Sequence, residues 1–317
     1  MKKLIGVFFL AGFLAAGCSQ DEPQPKSISD ILLEQDDLGM LRAAISHAGL
    51  QDAFKTSTVT LFAPTDEGFK AAGFADASAI TALPAEQVRA LITNHVITSN
   101  YPSTSMALGT HNPVSMMSKS RLYLTYNDGI AYLNQARASK LDLNATNGVV
   151  HVINGLIRIP QQTVGQLLKN TPEFSLFRAG LLKAVASETR LRIFADSTGA
   201  NPIDPSYTLF VPTNQAMEAA GLNLARINST AVSSAALANL VSYHIALSRY
   251  FSPTLPSGSL PMFNAVYVTR IVKSATGIKI ADELTAAPAT TANVVRADIT
   301  ATNGVIFAID HVLYTKP

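Results

Sequence analysis

The residues of this 317-residue chain best suited to chemistry are six histidines, His47, His95, His111, His151, His244 and His311, and one cysteine, Cys18. Imidazoles hold metals when several converge, and a spacing of one helical turn is the usual mark of it. No two of these histidines lie so close, HExxH is absent, and one thiol cannot supply a cysteine-rich zinc site. The GxSxG turn of a serine hydrolase, the P-loop and the GxGxxG fingerprint are absent as well. Asp310 and His311 are adjacent, but neighbouring residues of a strand face opposite ways, which predicts that they form no site. The sequence therefore predicts no catalytic constellation, no metal and no cofactor, and the lone cysteine must carry its meaning through position.

Cys18 follows MKKLIGVFFLAGFLAAG, in which Lys2 and Lys3 precede an apolar run from Leu4 to Ala16. A basic start, a short apolar stretch and a small-residue approach to a cleavage point describe a signal peptide, and the run is too short to span a bilayer of about 30 Å. The segment LAAGC resembles a bacterial lipobox, with Leu14 one place further from the cysteine than the usual pattern has it. The resemblance implies that residues 1–18 are a lipoprotein signal peptide and lipobox and that Cys18 is lipidated. A chain with one cysteine has no internal disulfide. Residues 19–26, SQDEPQPK, are polar with two prolines and suit an extended tether rather than a core. Asp21 and Glu22 resemble the surface-export signal of some Bacteroidetes lipoproteins. The expectation is a Gram-negative, Bacteroidetes-like lipoprotein of the cell envelope, at the outer membrane or cell surface, touching the membrane only through its lipid.

The formal net charge of +2 includes Lys2 and Lys3. Without them, 24 Lys and Arg become 22, against 22 Asp and Glu, so the mature chain is neutral. Nucleic-acid binding relies on clustered Lys and Arg, and a neutral chain predicts no such partner. Charged residues make up 15% of the chain, below the roughly 25% of typical soluble domains, which reads as the low-charge surface of an exported protein.

The chain repeats itself. TLFAPTDEGF at 60 to 69 returns as TLFVPTNQAM at 208 to 217, an offset of 148, and KLDLNATNGVVHVINGLI at 140 to 157 returns as RADITATNGVIFAIDHVL at 296 to 313, an offset of 156. SISDILL and LRAAI answer TVGQLLK and FRAGL at offset 136. The offsets change across turn-rich stretches, notably ADSTGANPIDPS at 195 to 206, as they should where a duplicated domain has gained loops. Domain 1 is assigned to 27–159 and domain 2 to 160–317, joined through a short Pro160-containing link that implies limited freedom between them.

Each copy opens with an amphipathic helix, through Leu38, Leu41, Ile45 and Ala48 or Phe174, Phe177, Leu181 and Val185. A short apolar strand follows, Val59 to Ala63 or Tyr207 to Val211, halted by Pro64 or Pro212. Thr65-Asp66 and Thr213-Asn214 are expected N-caps of the next helix. A further helix carries Val88, Leu91 and Ile92, or Leu237, Leu240 and Val241, with His95 and His244 at the i+7 place of the same apolar face. Asn147-Gly148 and Asn303-Gly304 are expected to form type I′ hairpin turns, whose two central residues both need positive φ. Helices first and antiparallel strands second predict an α+β fold.

The ordered set TLFAPTDEGF, an Asn-His or Tyr-His pair, and TNGVVHVI followed by Asn-Gly-Leu-Ile resembles the fasciclin-like domain, twice over. The resemblance implies two tandem domains, each a β-sandwich wedge with helices packed on one side. It also implies cell adhesion and matrix or carbohydrate contact, with the Tyr243-His244 pair as the adhesion contact. Copy one has Asn94-His95 there, ends its last motif with Asn154 where copy two has the more usual Asp310, and keeps His151 where copy two has Phe307.

The histidines' place on an apolar stripe predicts inward-facing, hydrogen-bonded imidazoles, while Tyr243 at the margin of that stripe is open to two readings, an exposed contact or a tyrosine of the core margin. The expected function is a non-catalytic envelope adhesion or binding module contacting an extracellular glycan or protein. The alternative is an envelope scaffold, or accessory lipoprotein of a polysaccharide-uptake system, whose partner is another envelope protein.

Overall fold

In a computed structural model of the chain, which describes residues 25–196, 207–264, 268–282 and 291–313, the two copies share one order of elements. Cys18, the signal peptide, residues 19–24 of the tether and residues 197–206 of the insertion lie outside the described residues. No helix among the described residues is long and apolar enough to cross a membrane.

Domain 1 begins with α1 (Ile28–Glu34), α2 (Gly39–His47) and α3 (Ala53–Thr56), passes through strand β1 (Val59–Pro64), and returns to helix in α4 (Asp66–Ala71), α5 (Ala77–Thr81) and α6 (Ala85–Thr93). Six strands follow: β2 (Val96–Ile97), β3 (Gly109–Ser115), β4 (Arg121–Asn127), β5 (Ile130–Leu133), β6 (Ala136–Ala145) and β7 (Gly148–Ile153). Domain 2 repeats the order with α7 (Val164–Asn170), α8 (Ser175–Ala184), α9 (Arg192–Ala195), β8 (Tyr207–Pro212), α10 (Asn214–Ala219), α11 (Leu224–Asn228) and α12 (Ser234–Tyr243). Its remaining strands are β9 (Ile245–Ala246), β10 (Gly258–Pro261), β11 (Val268–Ser274), β12 (Gly277–Asp282), β13 (Thr291–Ala301) and β14 (Gly304–Ile309).

Local chemistry starts these helices. Ser27 accepts from the Asp30 amide while the Asp30 carboxylate accepts from the Ser27 amide, a capping box that Thr163 and Gln166 reproduce at α7. The Lys26 carbonyl accepts from the Thr146 amide at 2.8 Å, so Lys26, assigned to the tether, is already part of the domain. Gln162 and Thr302 make the same bond at 2.9 Å in domain 2.

Each sheet has seven strands, in the orders β2-β1-β7-β6-β5-β4-β3 and β10-β11-β12-β13-β14-β8-β9. The expected antiparallel second half holds except at its centre, where β7 pairs parallel to β1 and β14 parallel to β8. The final strand can reach that place because the intervening helices and strands provide the crossover a parallel pair requires. Pro64 and Pro212 stay in the ladder, opposite Ile153 and Ile309, as the last residues of their strands rather than the first outside. A missing amide is tolerated at a strand end.

The wedge is one sheet curled on itself. The Met117 amide donates to the Val96 carbonyl at 2.7 Å in domain 1, and Phe263 to Ile245 at 2.6 Å in domain 2, drawing the first and last strands together. Closing a sheet removes exposed edges. Its central strands are therefore buried on both faces, which explains why β1 and β8 read as unbroken apolar runs. Leu61 and Ala63 pack toward the helices with Leu41, Phe54 and Val88, while Phe62 turns into the curl with Leu122, Leu124 and Leu133.

Candidate functional site

The Tyr-His position lies at the end of α12, and its counterpart Asn94-His95 at the end of α6. His244 follows the last residue of α12 and is fully buried, as is His95 beyond α6. His244 Nδ1 lies 2.8 Å from the Leu240 carbonyl, and Nε2 accepts from the Leu313 amide at 3.1 Å. His95 repeats this with Leu91 and Ile157, both at 2.9 Å. A nitrogen facing a carbonyl must donate and one facing an amide must accept, so both rings are the neutral Nδ1-H tautomer. Burial pushes both down to about 4. Each histidine thus ties the end of a helix to the chain leaving the last strand, 62 or 69 residues away.

Tyr243 is also fully buried, and its hydroxyl donates to the Val268 carbonyl at 2.9 Å, pinning α12 to β11. The reading of Tyr243-His244 as an exposed adhesion contact is therefore corrected: the residue at the edge of the apolar stripe is covered by β11, which sequence periodicity could not place. Tyr243→Phe should lower stability by about 1 kcal/mol, the worth of one hydrogen bond, and leave any ligand affinity unchanged. Denaturant titration beside a binding assay checks this, and lost affinity with wild-type stability would restore the tyrosine to the surface.

The remaining repeated motif residues reach further than expected. Thr65 and Thr213 cap α4 and α10, accepting from the amides of Gly68 and Ala216. Asp66 and Asn214 cap a different helix. Asp66 Oδ1 accepts from the Met40 amide at 2.7 Å and Asn214 Oδ1 from Leu176 at 3.0 Å, each satisfying an orphan donor in the first turn of α2 or α8. The Asn-Gly pairs are not type I′ centres, since neither Asn147 nor Asn303 has positive φ and Gly148 and Gly304 are already strand residues. Their asparagines instead receive the first helices: Asn147 Oδ1 accepts from Ile28 at 2.9 Å, Asn303 Oδ1 from Val164 at 2.8 Å. Asp310 lies past β14, where its carboxylate accepts from the Asn293 amide and side chain, both at 2.7 Å, and Asn154 accepts similarly from Arg137. With the strand already ended, His311 Nδ1 comes within 2.8 Å of Asp310, contrary to the alternation expected. Burial pushes the Asp310 carboxyl up, but the bonds from Asn293 and His311 outweigh it and hold it below the usual value.

A further grouping carries no local mark in the sequence. Asp142 and Asp298 sit at bulges of β6 and β13 with φ near +58° in both copies, and each carboxylate takes the amide and hydroxyl of a serine, Ser103 or Ser252. Burial pushes both carboxyls up. In Asp142 the Ser103 bonds prevail and the value falls below the ordinary one, whereas in Asp298 burial prevails. The repeat spacing could have found the pair, since both lie in the matched segment at offset 156. In domain 1 His151 joins the group, but through the Asp142 amide at 3.2 Å, with its other nitrogen on the Tyr101 carbonyl at 3.0 Å. Each serine hydroxyl donates to the carboxylate that also takes the serine's own amide, so the pair ties the chain after β2 or β9 to a bulge of β6 or β13. Phe307 takes the place of His151 and packs on Phe210 as His151 does on Phe62. Among the described residues, no three His, Cys, Asp or Glu are placed to hold a metal.

The junction between domains holds the other buried ionic group. Arg249 is only 4% exposed, and its guanidinium donates to the carbonyls of Ala301, Thr302 and Gly304 at 3.0 to 3.1 Å. Its face lies 4.6 Å from the Tyr123 ring centre of domain 1, a cation–π contact. Beside it His111 meets Tyr250 edge-on at 5.1 Å and the Thr254 hydroxyl at 3.3 Å, with burial and Arg249 pushing His111 down to about 4. Two cavities flank the linker, of about 190 Å³ beside Arg249 and about 460 Å³ beside Arg158 and Asp298. No repeat signal marks Arg249, since domain 1 has Asn100 at the matching place, before Tyr101 as Arg249 is before Tyr250.

Comparison with known proteins agrees with the duplication. The sequence matches the Fasciclin domain family over residues 36–160 and again over 174–315. It is 29% identical over 266 residues to the transforming growth factor-beta-induced protein ig-h3 of Oryctolagus cuniculus, covering 80% of this chain and 34% of that protein. Over 189 residues it is 30% identical to periostin of Homo sapiens, 59% of this chain and 20% of that one. The chain thus spans about a third or less of these relatives' length. A solved FAS1 domain pair from the insect cell adhesion molecule fasciclin I aligns with 87% of this chain and 95% of its own at 19% identity, with a TM-score of 0.37.

Proposed function

The chain belongs to the fasciclin domain family, and from that premise we propose that it is a non-enzymatic adhesion or binding module, held at the cell envelope through Cys18, that contacts an extracellular glycan or protein. The observation that carries the reading is the use made of the repeated polar residues. His95, His244, Asn147, Asn303, Asp66 and Asn214 all satisfy backbone groups within the fold, so what the duplication preserves is a scaffold. A scaffold repeated in tandem presents surface, and recognition is the activity that surface supports.

The tether reading is supported by where the chain enters. Lys26 joins domain 1 at the turn between β6 and β7, while Gln162 brings the linker to the matching turn of domain 2. The copies therefore follow one another head to tail, with domain 2 further along the chain from the anchor. Binding of the fragment from Ser27 to glycan, matrix-protein and envelope-fraction arrays tests the proposal. Saturable binding to one class supports it, and uniform failure overturns it. A stoichiometric envelope protein retained on membrane purification would instead favour the scaffold alternative. Growth of cells in radiolabelled palmitate tests the anchor, with label lost in Cys18→Ser.

A further inference from the structure

We propose that the larger cavity between the domains, lined by Arg158 of domain 1 and Asp298 of domain 2, is a binding site for a small zwitterion of the amino-acid and short-peptide class. The proposal goes beyond the surface recognition above and does not depend on it. The cavity measures about 460 Å³ and is built by both domains. Domain 1 supplies Gly68 and Ala71 of α4, Leu156 past β7, Gln135 and Arg158, and domain 2 supplies Asp298 and Thr300 of β13.

Opposite charges line this space without meeting. An ion pair needs nitrogen and oxygen within about 4 Å, and no such pair joins Arg158 to Asp298 or gives either of them another counter-charge among the described residues. Arg158 donates to the Ala72 carbonyl and lies 5.8 Å from the Phe74 ring centre, so a neutral acceptor and a ring face hold its guanidinium in place. That bond leaves further N–H donors of the fork open to a ligand. The half-buried Asp298 is held as firmly, its carboxylate accepting from the Ser252 amide at 2.7 Å and hydroxyl at 2.5 Å. Each carboxylate oxygen keeps capacity for one more donor.

The two copies differ at this carboxylate in a way that points to a cation. Burial pushes its counterpart Asp142 up, but the Ser103 bonds and the charge of His151 more than offset it. Domain 2 has Phe307 where domain 1 has His151, and there burial prevails and pushes Asp298 up. An ammonium group brought by a ligand would take the place of that imidazole and favour the ionised carboxylate. At the other end of the ligand a carboxylate matches the planar, forked donors of Arg158. Gln135 and Thr300 add a carboxamide and a hydroxyl that can pair with a peptide group between the two charges. The volume falls within the roughly 300–1,000 Å³ of small-molecule sites.

Ligand-observed NMR titration of the full chain, purified in detergent, tests the proposal with alanylalanine, its N-acetyl form, its C-terminal amide and glucose. Alanylalanine should bind with Kd on the order of 1 mM at low salt and weaken as salt rises. Capping either end should weaken it about tenfold, as loss of a charge-assisted contact does, and glucose should not bind measurably. Arg158 is exposed, so Arg158→Gln should fold normally, weaken alanylalanine about tenfold and leave the C-terminal amide unchanged. Asp298→Asn should weaken alanylalanine likewise and leave the N-acetyl form unchanged, and if that variant fails to fold, Arg158→Gln decides alone. Absence of alanylalanine binding, equal binding of both capped forms or of glucose, or unchanged affinity in Arg158→Gln would overturn the site. Because these probes are small and soluble, failure here leaves array binding by the surface intact, and failure on the arrays leaves this titration readable.

Discussion

Gly148→Ala is expected to destabilise domain 1 by at least about 3 kcal/mol, a large part of the roughly 5–15 kcal/mol that holds a typical domain. Gly148 opens β7 at φ +140°, where L side chains are rarely found, and lies directly against β1. A β-carbon there would overlap the Val59 carbonyl oxygen and sit 2.9 Å from its carbonyl carbon. Backbone in the middle of a sheet cannot give way as a side chain would, so either the parallel β1–β7 pairing opens or the hairpin shifts. The Asn147 side chain, which holds α1 and the end of α3, would shift with it. Gly304→Ala provides the control. It has no positive φ, and its added carbon would meet the Tyr207 carbonyl oxygen at 3.0 Å and a Val164 methyl at 3.1 Å, with no contact as short as those at Gly148. Its cost should be less than half as great. Urea unfolding of the two variants separates them, and equal losses would show that the close approach in domain 1 does not govern the effect.

The second large effect is acid sensitivity through His95 and His244. In the folded chain both are held neutral with values of about 4, against an ordinary 6.5, by burial against which their carbonyl bonds act only weakly. The unfolded chain therefore binds protons more readily between those values, and acid favours unfolding. Their contribution is fully present above pH 6.5, falls as the pH drops toward 4, and is gone below it. A shift of that size corresponds to about 3 kcal/mol for each histidine. The expected curve is flat from neutral pH down to 6.5 and then steep. His244→Ala should cost domain 2 about 3 kcal/mol at pH 7, because the Leu313 amide and Leu240 carbonyl lose their partner and a cavity remains. The variant should also be flatter between pH 6.5 and 4. Thermal unfolding of wild type and variant across that window gives both readings, and parallel pH curves would show that this imidazole is not the proton acceptor.

How much was legible follows from the range over which each residue acts. The amphipathic helices of each copy could be read from apolar spacing, and the starts of α4 and α10 from Thr65 and Thr213, whose caps lie three residues from their partners. Both β1 and β8 could be read from their unbroken apolar runs, because burial on two faces is written into every residue of the strand. The inward turn of His95 and His244 was legible for the same reason, as both continue an apolar stripe.

Other residues act across the chain, and there the local pattern misled. Asn147 looked like half of a hairpin turn, yet its side chain serves Ile28, 119 residues away. Asp66 looked like the cap of its own helix and caps α2, two helices earlier in the chain. Tyr243 sits at the margin of its stripe, where one turn of helix cannot say whether a strand will cover it, and β11 does. Arg249 has no counterpart in domain 1 and no local signal, because its partners include three carbonyls of the β13–β14 turn and a ring in the other domain.

Sequence alone determined that there are two copies, that each is α+β, and which residues recur, since repetition and periodicity are properties of order along the chain. Tertiary structure decided what the recurring residues do. It turned the implied adhesion contact into a buried tie, ran the last strand parallel to the first, and brought Arg158 of one domain and Asp298 of the other to one cavity. The physical reason is that a polar group is satisfied by whatever lies within hydrogen-bond reach in space, and the pairing of distant segments is set by the closing of the sheet.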